Sequence, residues 1–442
     1  MRAITLVIRS KSFSSLIGNG VGALLGLFTF ASLARFLDKS EFGSWIVFLA
    51  LYGIFDTLRI GLVLNALVKN LAGAKTPESG QEVIGSSFLI SLIVTSVYLV
   101  LVGIGYMVFT SFNLLPEYLY FFKWFVLVAL FTLPHNFATW LLNAKLKIKS
   151  MSFIRILNQL LFLGFVWFFV KSDPRIENVL FGYALTHFIV SILCMFLGWS
   201  GIKHIYLATK EVLSKIFHFG KFSMGTLIGA NLLRSSDTFI ISNMLGSGGV
   251  ATYNVSTRLN EIIEMPLRSF AVTALPEYAK MFANGQLKEL KEVFERRTGL
   301  IFFILFPISL FSFILANWVI YLIGGLGYAD SVIILRLFAP YMAILPLDKF
   351  SGVLLDTINK PHINFMKVSL MVLVNVVGDC IGILLFGNLE SVAFVSTLTF
   401  LAGVAFGYYH LKKHLGIRIR NVFIYGWDEF KFWTKKIIAN GR

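Results

Sequence analysis

The sequence predicts an all-α, polytopic membrane protein whose twelve transmembrane helices form two six-helix bundles. Three observations support this fold class. Of the 442 residues, 57% are hydrophobic and 14% are charged, whereas soluble domains average about 45–50% and about 25%. The apolar residues form continuous runs of membrane-spanning length, not the short alternating segments of a β-barrel. Lys and Arg collect in alternate connections between those runs. Together these features exclude a soluble domain, a disordered chain and a disulfide scaffold.

Each predicted span is an apolar run of about 20 residues or more, the length at which a helix crosses the hydrocarbon core. The weakest run is the second, because it contains Asp56 and Arg59. The twelve spans cover 12–37, 42–68, 83–111, 117–143, 151–170, 176–200, 219–245, 250–278, 298–323, 331–358, 362–387 and 391–411.

The distribution of Lys and Arg sets the orientation, because positively charged loops stay on the cytoplasmic side. If the N-terminus is cytoplasmic, the inner connections and the tail hold most of these residues, whereas the outer turns hold only Lys39, Lys171 and Arg175. Both termini should therefore face the cytoplasm. The net charge of +16 favours anionic membrane lipids as partners and does not favour nucleic acid in so hydrophobic a chain.

A basic linker around 201–218 divides six spans from six. We therefore expect an N-terminal six-helix bundle over 1–205 and a C-terminal six-helix bundle over 206–414. A weak repeat, in which Asp56 falls on Glu264, supports two parallel halves. Residues 415–442 mix basic and aromatic side chains, which predicts an amphipathic cytoplasmic tail on the inner leaflet. A partly ordered, solvated tail is the alternative.

Charged residues inside the spans are the best indication of function, because a charge in hydrocarbon is costly. Arginine keeps its proton, and its planar fork fits a pair of phosphate oxygens. The alternative is that these charges are internal ion pairs that fix helix packing, as Asp348 and Lys349 could also be. The predicted phosphate-binding residues are Arg59, Arg234, Arg258 and Arg268, and the predicted ion-coupling or pairing residues are Asp56, Asp237, Glu261 and Glu264, with Asp237 ranked first.

Glycine and proline within the spans predict places where helices approach closely or bend. The candidate hinge residues are Gly18, Gly20, Gly22 and Pro266, and simple kinking is the alternative. His135 and His187 are read as packing residues rather than proton carriers. The sequence contains no phosphate loop, zinc spacing or nucleophile motif. We therefore expect no enzyme activity, cofactor or metal.

Three passages resemble the polysaccharide biosynthesis flippases of the multidrug/oligosaccharidyl-lipid/polysaccharide superfamily, especially the O-antigen repeat-unit branch. They are Leu33–Leu37 with Glu41–Trp45, then Asn231–Ile241 with Gly246 and Ala251–Asn254, and finally Leu275–Lys280. The resemblance implies a V-shaped pair of bundles around a cationic cavity in the bacterial inner membrane. It implies a substrate in which an oligosaccharide is linked to undecaprenyl pyrophosphate, and alternating access as the mechanism. The polymerase and glycosyltransferases of the same pathway are implied partners.

Within this resemblance, Arg258 and Arg59 stand where related lipid II flippases carry cavity arginines. The first span departs from that branch because it has Asn19 and lacks its arginines, and the extra pair of spans is absent. Lipid II is therefore a poor substrate candidate. The alternatives are an ion-coupled multidrug exporter of the same superfamily and a membrane glycan polymerase or ligase. The exporter should have an acidic cavity, and the polymerase should have a large outer loop.

Overall fold

The computed structural model describes residues 11–111 and 116–440, and within these ranges every regular element is helical. Helices α1–α6 cover Lys11–Phe36, Lys39–Ala72, Pro77–Ser111, Pro116–Ala144, Ile148–Phe165 and Ile176–Phe196. Helices α7–α13 cover Lys210–Ala283, Leu287–Ile314, Ala316–Gly324, Ser331–Thr357, Pro361–Phe386, Leu389–Leu415 and Ile419–Asn440. A π-helical turn at Val166–Val170 extends α5, and short 3₁₀ helices cover Ile202–Leu207 and Leu326–Tyr328.

All twelve predicted spans fall on helices, which confirms the all-α membrane fold. In the described part of the chain, nine helices are long and apolar enough to cross a membrane. They coincide with spans 2–6 and 9–12. The first span coincides with α1, and the seventh and eighth both lie in α7. Within α7 the helical path is interrupted at Gly246, whose φ of 78° and ψ of 173° are accessible only to glycine.

Two predicted spans are shorter in the structure. The run 298–323 is one apolar stretch in sequence, but α8 ends at Ile314 and α9 begins at Ala316, because Leu315 leaves the helical region with φ −93° and ψ 18°. The run 176–200 ends as a helix at Phe196. Gly198, with φ 67°, turns the chain so that the backbone N–H of Trp199 bonds the carbonyl of Cys194 at 2.9 Å, a glycine-dependent helix ending.

By packing, the chain divides into two compact units. Unit 1 contains the residues up to Thr238 together with Gly246–Ala251, and unit 2 contains Phe239–Leu245 together with Thr252–Arg442. The predicted bundles, 1–205 and 206–414, follow the sequence repeat instead, and that division stays a prediction. In unit 1, α4 packs against α2, α3 and α6, and α1 packs against α5.

The first part of α7 belongs to unit 1 because glycine lets it approach α2 closely. A Cβ on Gly220 would lie 1.9 Å from the carbonyl oxygen of Leu62, and a Cβ on Gly61 would lie 2.7 Å from the Cα of Met224. Neither helix backbone could come so near with a larger residue at these two positions. This contact lies against a core that includes Val63 on α2.

Unit 2 is organised around α10, which packs against α8 and α12. Within the predicted tail 415–442, Ile419–Asn440 form α13, which packs along α8. The contact depends on a glycine pair, because a Cβ on Gly426 would lie 2.3 Å from the Cα of Gly299. Phe303 contacts Trp427 with ring centroids 5.1 Å apart. One face of the amphipathic helix is therefore covered by protein, and its contact with the inner leaflet stays a prediction.

Candidate functional site

In unit 1 the charged pair of the second span lies inside a polar cluster. Arg59 Nη2 donates to Asp56 Oδ1 at 2.5 Å, a pairing that i, i+3 spacing on a helix allows. Arg59 Nη1 also donates to Thr95 Oγ1 at 3.3 Å, and Asn136 Nδ2 donates to Asp56 Oδ1 at 3.1 Å. Three helices, α2, α3 and α4, thus supply one network around a single ion pair.

Arg59 is almost completely enclosed. Its side chain is 3% exposed and that of Asp56 is 19% exposed, and the guanidinium lies 5.8 Å from the ring centroid of Trp140. A charge at such a site is tolerated because the carboxylate neutralises it and polar groups surround it. The structure therefore favours a packing role for Arg59, and its predicted contact with a phosphate stays a prediction.

A second buried polar group lies next to this network and was not predicted from the sequence. His135 on α4 and His187 on α6 approach with their Nδ1 atoms 3.4 Å apart. On α4, His135 is the neighbour of Asn136, and Tyr52 donates a hydrogen bond to Thr132 at 2.9 Å. Read separately, each histidine is a lone polar residue in an apolar span, and only the packing of α4 on α6 brings them together.

Arg234 and Asp237 lie on α7, in its unit 1 part. The preceding turn is fixed to α2, because Asn231 Nδ2 donates to the Gly53 carbonyl at 3.3 Å and to Thr57 Oγ1 at 2.5 Å. Arg234 is nevertheless exposed, and Asp237 is partly buried. Arg234 lies about 18 Å along the helix from the break at Gly246, at about 1.5 Å per residue.

Unit 2 contributes the charged face of the eighth span. Arg258 Nη1 donates to Glu261 Oε2 at 2.5 Å, and the two side chains are 26% and 35% exposed. Glu264 pairs with Lys349 on α10 at 2.7 Å. The surroundings of Gly18 and the side chains of Pro266 and Arg268 lie outside what the structure describes. At the other candidate hinges, α1 is helical through Gly20 and Gly22, so the hinge role stays a prediction.

Asp348 and Lys349 both take part in ion pairs, but not with each other. Neighbouring residues on a helix point in different directions, so Lys349 reaches Glu264 while Asp348 pairs with Lys367 of α11 at 2.8 Å. Lys367 and Asp348 are 3% and 7% exposed. Lys367 was not identified from the sequence as an intramembrane charge, because it is the sixth residue of a predicted span that begins at a basic cytoplasmic connection.

A basic cavity of about 540 Å³ lies between the end of α2 and the start of α7, lined by Lys69, Asn70, Ser214, Lys215, His218 and Phe219. The ammonium of Lys69 lies 4.3 Å from the ring centroid of Phe219. Both lysines belong to connections that the charge distribution assigns to the cytoplasmic side. In the described residues no group of three or more His, Cys, Asp or Glu side chains could hold a metal ion.

Comparison with known families gives one match, to the model described as polysaccharide biosynthesis protein, over residues 8–282. No curated protein matches the sequence. The fold is similar to the lipid II flippase MurJ in an inward closed conformation, with a TM-score of 0.74, 13% identity, and coverage of 96% of this chain and 92% of that one.

Two transporters of the MOP superfamily are similar as well. An inward-facing multidrug resistance transporter of the MATE family has a TM-score of 0.71 and 13% identity, and the match covers 90% of this chain and 98% of the other. A transporter from Pyrococcus furiosus, described as having a binding pocket of reverse polarity, has a TM-score of 0.63 and 14% identity, with 92% and 94% covered. At these identities the likeness is one of fold.

Proposed function

This chain belongs to the polysaccharide biosynthesis protein family, and from that premise we propose that it is a flippase for an undecaprenyl-pyrophosphate-linked oligosaccharide. It moves the repeat unit from the cytoplasmic to the outer face of the bacterial inner membrane, for the synthesis of O-antigen, capsule or exopolysaccharide. Family and fold support a MOP-type transporter of the membrane.

The observation that carries the proposal is the exposed Arg234, which lies in the middle of the predicted seventh span. A guanidinium cannot stay in contact with hydrocarbon at that depth at acceptable cost. An exposed arginine there must face a water-filled space that admits ions or polar solutes. Arg258 offers unit 2 a similar group, whose side chain is 26% exposed and pairs with Glu261.

The chemistry of the substrate matches these groups. A pyrophosphate presents paired anionic oxygens that a guanidinium can bind in bidentate fashion. A glycan is polar and needs a wet path, whereas the polyprenyl tail can remain in lipid throughout. The basic cavity with Lys69 and Lys215 suits first capture of the phosphates on the cytoplasmic side.

A multidrug exporter is the second candidate, and the MATE-like fold is the observation that favours it. Such an exporter of organic cations needs carboxylates as its accessible charges. Here the accessible charges within the spans include Arg234, which a cation would have to avoid. Anionic lipids, the polymerase and the glycosyltransferases of the pathway remain proposed partners, and both termini are proposed to be cytoplasmic.

The test is a flipping assay in proteoliposomes with a fluorescent undecaprenyl-pyrophosphate-linked glycan, in which a membrane-impermeant reagent reports the face that carries the glycan. Loss of a charge-assisted contact of about 1.5–3 kcal/mol should slow Arg234→Ala about 10- to 100-fold. Arg234→Lys should recover part of the rate, because it keeps the charge without the fork.

The matched control is Arg175→Ala on the turn between α5 and α6. Arg175 forms an exposed ion pair with Asp173, and its hydrogen bonds hold the pKa of that carboxyl below its usual value. This variant should flip normally. A full rate for Arg234→Ala contradicts the phosphate-binding role, and transport of an organic cation without flipping of the glycan favours the exporter.

A further inference from the structure

We propose that His135 and His187 form a proton-binding site in unit 1, and that a proton gradient drives flipping through it. The second half of this proposal rests on the proposed function, whereas the first half does not. The two imidazoles come from α4 and α6, and both residues are buried, with 8% and 6% exposed. Their Nδ1 atoms lie 3.4 Å apart, within hydrogen-bond distance.

The position of the pair suits a proton that passes from one side of the membrane to the other. His135 is nine residues from the end of α4 at Ala144, and His187 is nine residues from the end of α6 at Phe196. At about 1.5 Å per residue, each lies about 14 Å from its helix end, near the middle of a hydrocarbon core of about 30 Å. The helices are locked together there, since Ser191 accepts from the backbone N–H of His135 at 3.1 Å.

The contact itself requires the two rings to differ. For an Nδ1···Nδ1 hydrogen bond, one ring must carry a hydrogen at Nδ1 and the other must present a lone pair. A neutral pair therefore has one free Nε2 lone pair, on the ring that donates. One added proton binds that lone pair and leaves the central hydrogen bond intact. The pair thus accepts a single proton without breaking its own contact.

Asn158 can serve both protonation states. Its side-chain amide lies 3.4 Å from Nε2 of His187, where an N–H donates to the neutral ring. Its Oδ1 has no hydrogen-bond partner within the described residues. A half-turn of the amide places this oxygen against a protonated Nε2–H, which it then accepts. A histidine that served only for packing would not need such a reversible partner.

A proton added to the histidine pair changes the electrostatic interactions with neighbouring charged residues. The charged groups that act on His135 are Asp56 and Arg59 of α2 and Arg155 of α5, and the group that acts on His187 is His135. Tyr183 of α6 also covers the His187 ring at 4.4 Å. The Asp56–Arg59 pair has no net charge. Protonation of the histidine pair therefore places a positive charge near the guanidinium of Arg155, and the two charges repel each other.

Repulsion of Arg155 should also affect how α1 packs against α5. The side chain of Arg155 lies 3.5 Å from the position that a Cβ on Gly22 would occupy, in the contact between α1 and α5. Movement of Arg155 therefore changes the packing surface for α1, a helix that is rich in glycine. Proton binding at the histidine pair and rearrangement of α1 are coupled by charge and by contact.

The first experiment measures proton binding without substrate. Selective ¹⁵N-histidine labelling and solid-state NMR of the reconstituted protein should show the pair titrating as one coupled unit, with one proton taken up in total. Replacement of either ring, in His135→Gln or His187→Gln, should remove that uptake, whereas His362→Gln on the exposed start of α11 should not. Two independent, uncoupled titrations, or none from pH 4 to pH 9, would overturn the site.

A milder variant covers the case in which glutamine at either position prevents folding. Asn158→Leu removes the reversible partner and leaves both rings in place. In the Asn158→Leu protein, the histidine pair should take up its proton at a pH about 1 unit lower than in the parent, which is equivalent to about 1.4 kcal/mol. An unchanged titration in a folded Asn158→Leu protein would contradict the role of the amide.

The second experiment measures flipping with and without an inward proton gradient. The parent should flip several-fold faster with the gradient, and His135→Gln and His187→Gln should flip at one gradient-independent rate. Gradient dependence that survives in both variants, or that is lost only in Asp237→Asn, overturns the coupling. If the parent flips no glycan at all, the proposed function fails, and the NMR titration still decides the proton site.

Discussion

Units 1 and 2 each contain an ion pair within one helix, in different surroundings. Asp56–Arg59 and Arg258–Glu261 are both i, i+3 pairs on a helix, and both have an N–O distance of 2.5 Å. The arginine is 3% exposed in the first pair and 26% in the second. The same local geometry therefore supports two roles: a sealed pair that organises a core, and an accessible pair that a ligand can compete for.

The largest expected effect is on the sealed pair. Arg59→Ala leaves the carboxylate of Asp56, which is only 19% exposed, without its counter-charge, and removal of one partner of a buried pair costs about 3–5 kcal/mol. We expect a large loss of stability in thermal unfolding of the purified protein. The double variant Asp56→Ala with Arg59→Ala should be more stable than Arg59→Ala alone. If Arg59→Ala is as stable as the parent, burial does not separate the two pairs.

The next prediction tests whether the loss of stability on breaking an ion pair depends on burial of the pair or on the unit that contains it. Lys367 and Asp348 form a sealed pair in unit 2, so Lys367→Ala should resemble Arg59→Ala and lose stability by about 3–5 kcal/mol. Lys349→Ala is the matched control, because its pair with Glu264 is 36% exposed on the lysine side. Equal loss in both variants would show that exposure is a poor guide to role.

The accessible pair should respond in transport rather than in stability. Arg258→Ala should lower the flipping rate about 10- to 100-fold through loss of a charge-assisted contact, while thermal stability changes by less than about 1 kcal/mol. Arg258→Lys should recover part of the rate. The reverse result, a normal rate in an unstable protein, would place Arg258 with Arg59 as a packing residue.

The smallest effect belongs to the ion pair between α8 and α13. Arg296 and Glu429 are 41% and 25% exposed, with an N–O distance of 3.4 Å. Glu429→Gln should change stability by less than about 1 kcal/mol.

Gly426→Leu should instead displace α13, because its side chain would meet the backbone of Gly299. Protease access to the tail can compare the two, and equal access would contradict the glycine contact.

The fold was largely predictable because its signals are local. A run of apolar residues of fixed length must be a helix in a membrane, since every backbone N–H and C=O needs a partner within the segment. The errors lay where one residue ends a helix. Leu315 divides an apolar run that contains no charged residue, and α6 ends at Phe196, four residues before the apolar run ends.

The candidate site was predictable only in part. Spacing along one helix places Asp56 within reach of Arg59 and Arg258 within reach of Glu261, and both pairs are present in the structure. It could not predict pairs between helices, such as Lys367 with Asp348, or the contact between His135 and His187. Nothing in the sequence near His135 indicates a second imidazole from α6, 52 residues away.

The sequence by itself determined the all-α membrane fold and the positions of its apolar helices, because these depend on hydropathy. It also determined which charged residues lie one turn apart on a helix, because that depends on the 3.6-residue period. Tertiary structure alone decided which charges are sealed and which are accessible. The cost of a charge depends on the atoms that surround it, and for a helix in a bundle those atoms come from other helices. Arg59 and Arg234 look alike in sequence, yet one is enclosed by α3 and α4 while the other is exposed.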